Sequence, residues 1–483
     1  MRLENKMKYV HFLGLLILIY LVIFLKLGSF HMRHWDESMF AVNTYEMIHN
    51  GNYFSLYFDG KPDLFNTKPP LTTWLQILSV KLFGYNELAL RMPSALAASA
   101  SVILVYRFMS KQFNLLWAWI SALILLTSAG FIHFHTARTA DSDSLLCFFI
   151  LVGNLYFFNY LMEDKKKYIF LFFVFISLAF ATKMYAALLF IPAYIIILMR
   201  YKKMFTFIFN RYFLAGIILF LVSAIGLVLL REMDSPGYLR EILFKDAGRM
   251  LTVVENHRES GTFYFDNFFS SRFSSWFLLL IIGASAAFFI EDKSVKSFLT
   301  NLTILVATYL VIITFSITKL EWYDMPLYPI ISIIAAYPLY YIIQTLISNS
   351  NPKRWVQQML IIVVVFIYPY HMMFDKSQGN RIPTGEKKQE ANEHYLFNRI
   401  NQKSNLDKIT VYYSEYAGSL LFYKYKLAEL NQEIELSNTG EFHLNDKILV
   451  SNDSLIHRMH EQYTFSTIDQ LENAQLVQIT KVL

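Results

Sequence analysis

A small set of ionisable residues stands apart in a sequence that otherwise consists largely of apolar runs. These residues lie in the short polar segments HWDES, NTKPP, ARTADSD, ENHRES and TKLEWY. A carboxylate can act as a general base, and lysine or arginine can bind the phosphate of a substrate or a leaving group. Together these residue types suit the transfer of a group from a phosphorylated lipid. The candidates are Asp36, Glu37, Lys68, Arg138, Asp141, Asp143, His257, Lys319 and Tyr323.

Several candidates also have a simpler structural explanation. Asp36 and Glu37 suit the start of a helix, where acidic side chains are common. Lys68, beside two prolines, fits the pattern of a lysine at a helix start whose side chain reaches the membrane interface. Arg138 and Asp143 suit a structural ion pair where two spans meet. From the residues alone, both explanations stay open for each of them.

The histidines and aromatic residues of these segments have their own alternatives. His133, His135 and His257 invite a metal site, but no HExxH or paired-cysteine spacing accompanies them. We therefore expect them to be interface or hydrogen-bonding histidines rather than metal ligands. Trp322 and Tyr323 match the aromatic belt that many membrane proteins place at the interface.

Composition then defines the elements that must position these residues. The chain has 483 residues, of which 55% are hydrophobic and only 17% charged, whereas soluble domains have about 25% charged residues. This composition predicts a polytopic membrane protein and excludes a disordered chain, a collagen-like repeat and a secreted disulfide scaffold. The net charge of +6 comes from basic residues in short loops, which indicate orientation and not nucleic-acid binding.

The apolar runs predict about 11 spans, because each approaches the length needed to cross a bilayer. The first run is long and no cleavage site follows it, so we expect an uncleaved span. Basic residues fall in alternate loops, which predicts a cytoplasmic N-terminus and an extracytoplasmic C-terminus. The runs are 10–25, 88–108, 115–134, 145–162, 168–181, 184–199, 212–230, 276–290, 298–317, 325–347 and 355–370.

Two further regions are predicted outside the spans. The first outer loop, 28–87, contains two helix patterns that end at Gly51 and Gly84, and we expect both helices to lie along the membrane surface. From about residue 376 the pattern becomes that of a small soluble α/β domain, with a helix over 389–401 and strands in KITVYY, LLFYKY, KILVS and QLVQI. We divide the chain into a membrane domain, 1–372, and an extracytoplasmic domain, 373–483.

The succession of these motifs resembles a known family. The segments HWDESMFAVNTYEMIHNGNY, LFNTKPPLTTWLQILSVKLFGYNELALRMPSAL, HTARTADSDSLL and TKLEWYDMPLYPIISI are similar to integral-membrane glycosyltransferases of the GT-C type. Within that type the sequence resembles the protein O-mannosyltransferases and the bacterial transferase that places 4-amino-4-deoxyarabinose on lipid A. The similarity covers residues 36 to about 336 and is weakest in the C-terminal domain.

The resemblance implies an activity and a role for each site residue. It implies inverting transfer of a sugar from a polyprenyl phosphate to a hydroxyl of an envelope acceptor, at the extracytoplasmic face of a bacterial inner membrane. Asp36 would be the general base, Glu37 would bind acceptor or orient the base, and Lys68 would bind the donor phosphate. Arg138, Lys319 and Tyr323 are further expected donor contacts, with Asp143 and His257 supporting them.

Two departures from the lipid A transferase pattern bear on the sugar and on any metal. That pattern has an arginine where this chain has Met39, and an acid where it has Thr67. Some relatives bind a divalent cation near the second large outer loop, so a cation is possible here, but no cofactor follows from the spacing. Membrane lipids are the other expected partners, with either a lipid or a protein as acceptor.

Other functions remain open at this stage. A lipid or sugar transporter without chemistry would place charged or helix-breaking residues near the middle of repeated halves, a pattern that the nearly uncharged spans do not have. An oligosaccharide polymerase or ligase would share the topology but not the spacing of the DE and KPP motifs.

Overall fold

The structure, a computed structural model, describes residues 2–133, 135–347, 354–378, 390–414 and 416–483. Most of this chain is helical, which confirms the polytopic helical class. In chain order the α-helices are α1 Arg2–Ile19, α2 Asp36–Asn50, α3 Leu71–Phe83, α4 Glu87–Gln112, α5 Leu115–Leu126, α6 Ala129–Ile132, α7 Asp143–Glu163, α8 Lys167–Lys183, α9 Ile191–Arg200, α10 Met204–Ile208, α11 Arg211–Asp234, α12 Tyr238–Glu241, α13 Phe263–Asn267, α14 Phe277–Ala286, α15 Lys293–Phe315, α16 Tyr328–Leu346, α17 Arg354–Ser377, α18 Ala391–Asn401, α19 Gly418–Ala428 and α20 Asp453–Gln462.

Within the described residues, seven helical segments are long and apolar enough to cross a membrane, and the count is eight if one bent pair is a single span. The pair is Phe263–Arg272 and Phe277–Ala286, which meet at 119°. The long segments are Glu87–Gln112, Asp143–Glu163, Lys167–Leu188, Arg211–Asp234, Lys293–Phe315, Glu321–Leu346 and Trp355–Ser377.

The difference from the expected count of about 11 has a local cause. Three expected spans are shorter apolar helices, namely Val10–Phe24, Leu115–Leu126 and Ile191–Arg200. After α5 the chain breaks at Ser128, where the hydroxyl bonds back to the Ile124 carbonyl at 2.5 Å. Apolar composition continues through such breaks, so the sequence predicts that a run is apolar but not that its helix is unbroken.

Both helices predicted in the first outer loop are present. α2 ends at Gly51, whose φ of 67° lies in the left-handed region that glycine tolerates. α3 is followed by Gly84, with φ of 80°. Between them, strands β1, Tyr57–Phe58, and β2, Lys61–Pro62, form an antiparallel hairpin. The position of these helices along a membrane surface stays a prediction.

The C-terminal region forms a mixed five-stranded sheet, as the predicted small α/β domain requires. Its strands are β3 Ile409–Tyr412, β4 Ile434–Ser437, β5 Lys447–Val450, β6 Tyr463–Leu471 and β7 Ala474–Val482, in the order β4-β3-β5-β7-β6. β3 is parallel to β4 and β5, whereas β7 is antiparallel to β5 and β6. The helix predicted over 389–401 is α18; residue 389 itself lies outside the described residues.

One element of this domain was predicted wrongly. LLFYKY reads as a strand, but it lies inside helix α19. Its residues Leu420, Leu421 and Tyr423 are buried, and Leu427 follows one turn later on the same side. Six bulky apolar and aromatic residues fit a strand or a buried helix equally well. Only the continuation of the helical spacing to Leu427 distinguishes the helix from the strand.

The chain divides into two compact units. Unit 1 contains Met1–Leu25, Leu64–Thr72 and Pro93–Gln378, and unit 2 contains Lys26–Asp63, Thr73–Met92 and Gly379–Leu483. In unit 1, α8 packs on α7 and α11, and α14 packs on α16. A Cβ at Gly283 of α14 would lie 2.1 Å from the Ile334 carbonyl oxygen of α16, so glycine permits this close approach, as small residues do between membrane helices. The predicted boundary at residue 372 stays a prediction.

Candidate functional site

A cavity of about 280 Å³ lies in unit 1, where α7 begins and α8 ends. Its walls are mostly aliphatic and aromatic, but charged or hydroxyl groups enter at Asp143, Lys183, Asp246, Arg249 and Tyr323. An apolar cavity with a few convergent polar groups is the usual form of a ligand site. The other lining residues are Leu146, Tyr185, Ala186, Leu189, Ala247, Met250, Tyr309, Ile312, Ile313 and Ser316.

One wall of the cavity carries a buried ion pair. Lys183, the last residue of α8, places its Nζ 2.7 Å from Oδ1 and 2.8 Å from Oδ2 of Asp143, the first residue of α7. The helix ends there because Met184 has a φ of 35°, which α-helical residues do not adopt. The lysine side chain is 14% exposed and the carboxylate 3%. The ammonium is therefore the more accessible partner.

A second polar contact of the wall joins Arg249 and Tyr323. The Arg249 guanidinium donates to the Tyr323 hydroxyl at 2.6 Å, and its Nε donates to the Lys245 carbonyl. Burial acts to lower the pKa of Arg249, but Tyr323 and the charges of Glu255 and Asp246 outweigh it and raise this pKa above its usual value. The guanidinium thus stays charged, and the Lys183 ammonium lies 5.4 Å from the centre of the Tyr323 ring.

The backbone carbonyls of residues 66–68 all accept hydrogen bonds from buried side chains of a distant segment. Arg231, at the end of α11, donates to the carbonyls of Lys68 at 2.7 Å and Asn66 at 2.6 Å. Tyr238 donates its hydroxyl to the intervening carbonyl of Thr67 at 2.7 Å. Arg231 is 1% exposed and its guanidinium carbon lies 4.0 Å from the centre of the Tyr238 ring. These contacts fix the backbone from which Lys68 extends, and its charge reaches Tyr323 electrostatically.

Arg138 and Asp143, expected to act together, have different partners. Arg138 donates to the carbonyls of Val22, Ile23 and Leu25, at the end of the first apolar helix, at 3.0, 2.7 and 3.1 Å. Asp143 pairs with Lys183 instead of holding the arginine. The contact of Arg138 with donor phosphate stays a prediction, and the guanidinium has a capping role besides it.

The structure brings Lys319 and His257 together, as neighbours on adjacent segments. The Lys319 amide donates to the His257 carbonyl at 3.1 Å, and the Lys319 ammonium donates to the Glu259 carbonyl at 3.2 Å. Lys319 is buried and His257 half-buried. Neither residue belongs to the described lining of the unit 1 cavity, so their predicted roles stay untested.

In unit 2, Asp36 is the first residue of α2 and is half-buried. The residue before it, Trp35, has a φ of 62° and stacks on Tyr416 with ring centres 4.7 Å apart. Burial and the negative charges of Asp36 and Asp63 raise the pKa of Tyr416. Asp36 is an acid at the positive end of a helix, beside an aromatic surface.

Its neighbour Glu37 is committed to a different partner. The Arg91 Nε donates to Glu37 Oε1 at 2.8 Å, and Arg91 Nη2 donates to Glu37 Oε2 at 3.0 Å. Arg91 also donates to the carbonyls of Leu27, Phe30 and His31. Burial acts to raise the pKa of Glu37, but the Arg91 guanidinium and the backbone N–H of residue 33 outweigh it, and the net effect is a lowered pKa.

Four basic residues that the sequence reasoning did not select therefore organise these sites. They are Arg91, Lys183, Arg231 and Arg249. Three of them, Arg91, Lys183 and Arg231, lie inside or directly beside an apolar run, where a charge is costly and usually has a function, and that cost is the signal that would have identified them. Arg249 lies in the polar segment between two runs, where the sequence has no such signal.

Parts of the chain are similar in sequence to known sugar transferases. Residues 67–228 match the family model described as dolichyl-phosphate-mannose-protein mannosyltransferase. The protein YycA of Bacillus subtilis, provisionally named a mannosyltransferase, is 31% identical over 145 residues, which are 30% of this chain and 21% of YycA. An undecaprenyl phosphate-alpha-4-amino-4-deoxy-L-arabinose arabinosyl transferase of Pseudomonas savastanoi is 32% identical over 97 residues, 20% of this chain and 18% of that protein.

The match to a solved structure extends over nearly the whole molecule. The crystal structure of ArnT from Cupriavidus metallidurans bound to undecaprenyl phosphate superposes with a TM-score of 0.70, covering 97% of each chain at 13% identity. The fold is thus that of the multi-pass membrane protein ArnT, and the predicted resemblance to membrane glycosyltransferases is confirmed. The matched part of the chain covers about a fifth of the curated relatives YycA, at 21%, and the arabinosyl transferase, at 18%.

Proposed function

We propose that this protein moves a sugar from a polyprenyl-phosphate donor to a hydroxyl of an envelope acceptor. The observation that carries the proposal is the polar wall of the unit 1 cavity, where the cations Lys183 and Arg249 and the Tyr323 hydroxyl lie with Asp143 and Asp246 among mostly apolar lining residues. A phosphate joined to a lipid needs this combination of cations and apolar surface. The match of residues 67–228 and the ArnT-like fold support the same reaction.

The donor phosphate would be bound by cations of unit 1. Lys68 extends from the backbone that Arg231 and Tyr238 fix, and Arg249 is held by Tyr323. A guanidinium can bind two phosphate oxygens at once, whereas an ammonium acts as a point charge. Arg138, Lys319 and Tyr323 would be further donor contacts, with Asp143 and His257 in support.

In the transfer step Asp36 would act as general base. Its carboxylate would accept the proton of the acceptor hydroxyl, whose oxygen attacks the anomeric carbon from the side opposite the phosphate. The new C–O bond forms as the bond from the anomeric carbon to the phosphate oxygen breaks, which inverts the configuration. The phosphate leaves with its second negative charge on the polyprenyl phosphate.

The cations would assist this step because the phosphate gains charge as it leaves. A fixed positive charge then stabilises the transition state more than the bound donor. Glu37 would serve the base indirectly, since its pairing with Arg91 fixes the first turn of α2. As the alternative role, Glu37 would bind the acceptor.

The proposal includes a location and an acceptor class. The protein would lie in the inner membrane of a bacterium, with its N-terminus in the cytoplasm and its C-terminal domain outside. The acceptor would be a lipid A-like glycolipid or a protein. The relatives suggest mannose and 4-amino-4-deoxyarabinose as the sugars to test first.

The experiment uses full-length protein in detergent with undecaprenyl phosphate linked to either sugar. Product is measured by mass spectrometry of extracted acceptor lipid and of acceptor protein. We expect transfer by the wild type and a rate at least ~1,000-fold lower for Asp36→Asn, because general-base catalysis and the base's charge are lost together. Asp59→Asn is the matched control, an exposed acid of the same loop.

Transfer by Asp36→Asn at the wild-type rate would show that Asp36 is not the base. Consumption of neither donor by the wild type, with lipid and protein acceptors both present, would contradict the proposed reaction for these two sugars.

A further inference from the structure

The turn between α6 and α7, within unit 1, contains a buried carboxylate with few partners. Asp141 is 2% exposed, and neither of its carboxylate oxygens has a hydrogen-bond partner among the described residues. The hydroxyls of Ser142, just before α7, and of Ser144, in its first turn, are also buried without hydrogen-bond partners among the described residues. Buried polar atoms are normally hydrogen-bonded, so several such oxygens within four residues require an explanation.

In the described part of unit 1, two ionisable groups lie near this carboxylate, Asp143, which interacts with it electrostatically, and His135, which is in direct contact. Its Nδ1 lies 3.3 Å from Asp141 Oδ1, which is ion-pair distance without the geometry of a hydrogen bond. The imidazole stacks on Trp322, with ring centres 3.7 Å apart. Its ring plane is therefore fixed by packing.

The backbone also holds both residues in place. His135 has a φ of 56°, an uncommon conformation for a residue other than glycine. The hydroxyl of Ser94 donates to the Asp141 carbonyl at 2.6 Å, which anchors the turn to α4. Residues in uncommon backbone conformations cluster at binding and active sites, and here such a residue lies beside a buried acid whose backbone is anchored.

We propose that His135 and Asp141 are ligands of a divalent cation. Two ligand atoms that each lie about 2.1 Å from one cation are roughly 3.0 to 3.4 Å apart, and the observed separation is within that range. A mixed nitrogen and carboxylate pair suits Mn²⁺ or Zn²⁺ better than Ca²⁺, and water or a phosphate oxygen would complete the coordination. The sequence-based expectation for His135, an interface or hydrogen-bonding histidine, is the alternative that the cation titration distinguishes.

The test is cation binding without any substrate, so it is independent of the proposed transfer reaction. Full-length protein is treated with EDTA, dialysed and titrated with Mn²⁺, and free Mn²⁺ is measured by electron paramagnetic resonance. We expect one Mn²⁺ per wild-type chain, with coupling of the bound ion to imidazole nitrogen. Asp141→Asn should weaken binding at least ~30-fold and His135→Gln at least ~10-fold, the latter with loss of the nitrogen coupling.

Asp164→Asn is the control, because Asp164 follows the opposite end of α7, is exposed and pairs with Lys203. It should change the Mn²⁺ affinity less than about threefold, since an exposed charge a whole helix away is screened by solvent and salt. The proposal is overturned if the wild type binds no Mn²⁺ at about 1 mM, a weak limit for protein cation sites, or if Asp141→Asn binds as the wild type does. Should Asp141→Asn fail to fold, the nitrogen coupling in the wild type and its persistence or loss in His135→Gln decide.

Discussion

Two buried ion pairs, one in each unit, differ in what surrounds them. In unit 2 the Arg91 guanidinium makes two bonds to Glu37 and bonds three backbone carbonyls as well, so its donors are committed to the protein. In unit 1 the Lys183 ammonium binds Asp143 at the wall of a cavity and is 14% exposed. The first pair braces the backbone before α2, whereas the second presents a cation to a space that a ligand can enter.

This difference indicates how a buried charge becomes useful for binding. A charge whose donors are all used by the protein can only stabilise structure, and removing its partner is costly. A charge with one partner at a cavity wall can exchange or share that partner with an anionic ligand. The residue types also fit, since arginine suits multiple fixed bonds and lysine a single mobile charge.

The largest expected effect is on stability, from Arg91→Met. The substitution removes the guanidinium that pairs with the buried Glu37 carboxylate and removes the Arg91 donors to three backbone carbonyls. We expect a loss of about 3–5 kcal/mol, seen as a fall of roughly 10 °C in the unfolding temperature measured by tryptophan fluorescence in detergent.

The control for this prediction is Arg107→Met on the same helix, α4. Arg107 is exposed and lies over the Phe12 ring, so its loss should cost about 0.5 kcal/mol. If both variants unfold at the wild-type temperature, Arg91 does not brace unit 2.

The second prediction is for Lys183→Met, which should affect activity more than stability. The Lys183 side chain is partly exposed at the cavity wall, so we expect a smaller stability loss than for Arg91→Met, about 1–3 kcal/mol, the cost of leaving a buried acceptor without its donor. The value of kcat/KM for the lipid-linked sugar should fall about 10- to 100-fold, because a cation of the cavity wall is lost. Lys167→Met, at the exposed start of the same helix, should leave kcat/KM unchanged.

The opposite result for Lys183→Met, full activity with a large fall in unfolding temperature, would remove the distinction between the two pairs. Lys183 would then be structural in the same sense as Arg91.

The third prediction concerns the other polar contact of the cavity. Tyr323→Phe removes the hydroxyl that accepts from Arg249 at 2.6 Å but keeps the ring beside Lys183. We expect KM for the donor to rise about 3- to 10-fold, the equivalent of roughly 1 kcal/mol, with kcat nearly unchanged. An equal fall in kcat without a change in KM would mean that the hydroxyl acts in the transition state instead.

The smallest effect is the pH dependence of the Glu37 pair. The pKa of Glu37 is lowered from an ordinary 4.5 in the folded protein, so its contribution is complete above about pH 5.5 and is lost as the pH falls through the folded-state pKa. Between about pH 5.5 and about pH 3.5 the wild type should lose more stability than the double variant Glu37→Gln/Arg91→Met, measured as the fall in unfolding temperature of each protein. Equal losses in the two proteins would contradict this role.

The sequence predicted the fold class well where a local signal exists. The helix that begins at Asp36 and its end at Gly51 follow from an acidic first turn and a glycine cap, and both are local features. The predicted strand in LLFYKY was wrong because six residues do not separate two periods. Several of the predicted spans are short or bent helices in the described chain, because a break such as the one at Ser128 depends on side-chain bonds within an apolar run.

The candidate site was predictable in its residue types but not in its pairings. Asp143 and Tyr323 were selected from sequence, and both line the cavity. Their partners, Lys183 and Arg249, were not selected, because they lie 40 and 74 residues away along the chain. No pattern in the sequence of either partner indicates the other.

The sequence by itself determined that this is a multi-pass membrane protein with polar residues in its loops, because apolar run length and local helix signals depend only on neighbouring residues. The tertiary structure decided which of the buried charges are committed to the protein and which face a cavity. That decision requires knowing all the partners of a charge at once, and in a helical membrane protein those partners come from segments far apart in the chain. Glu37 and Asp143 illustrate it, since both are acids at the start of a helix and differ only in what packs around their partners.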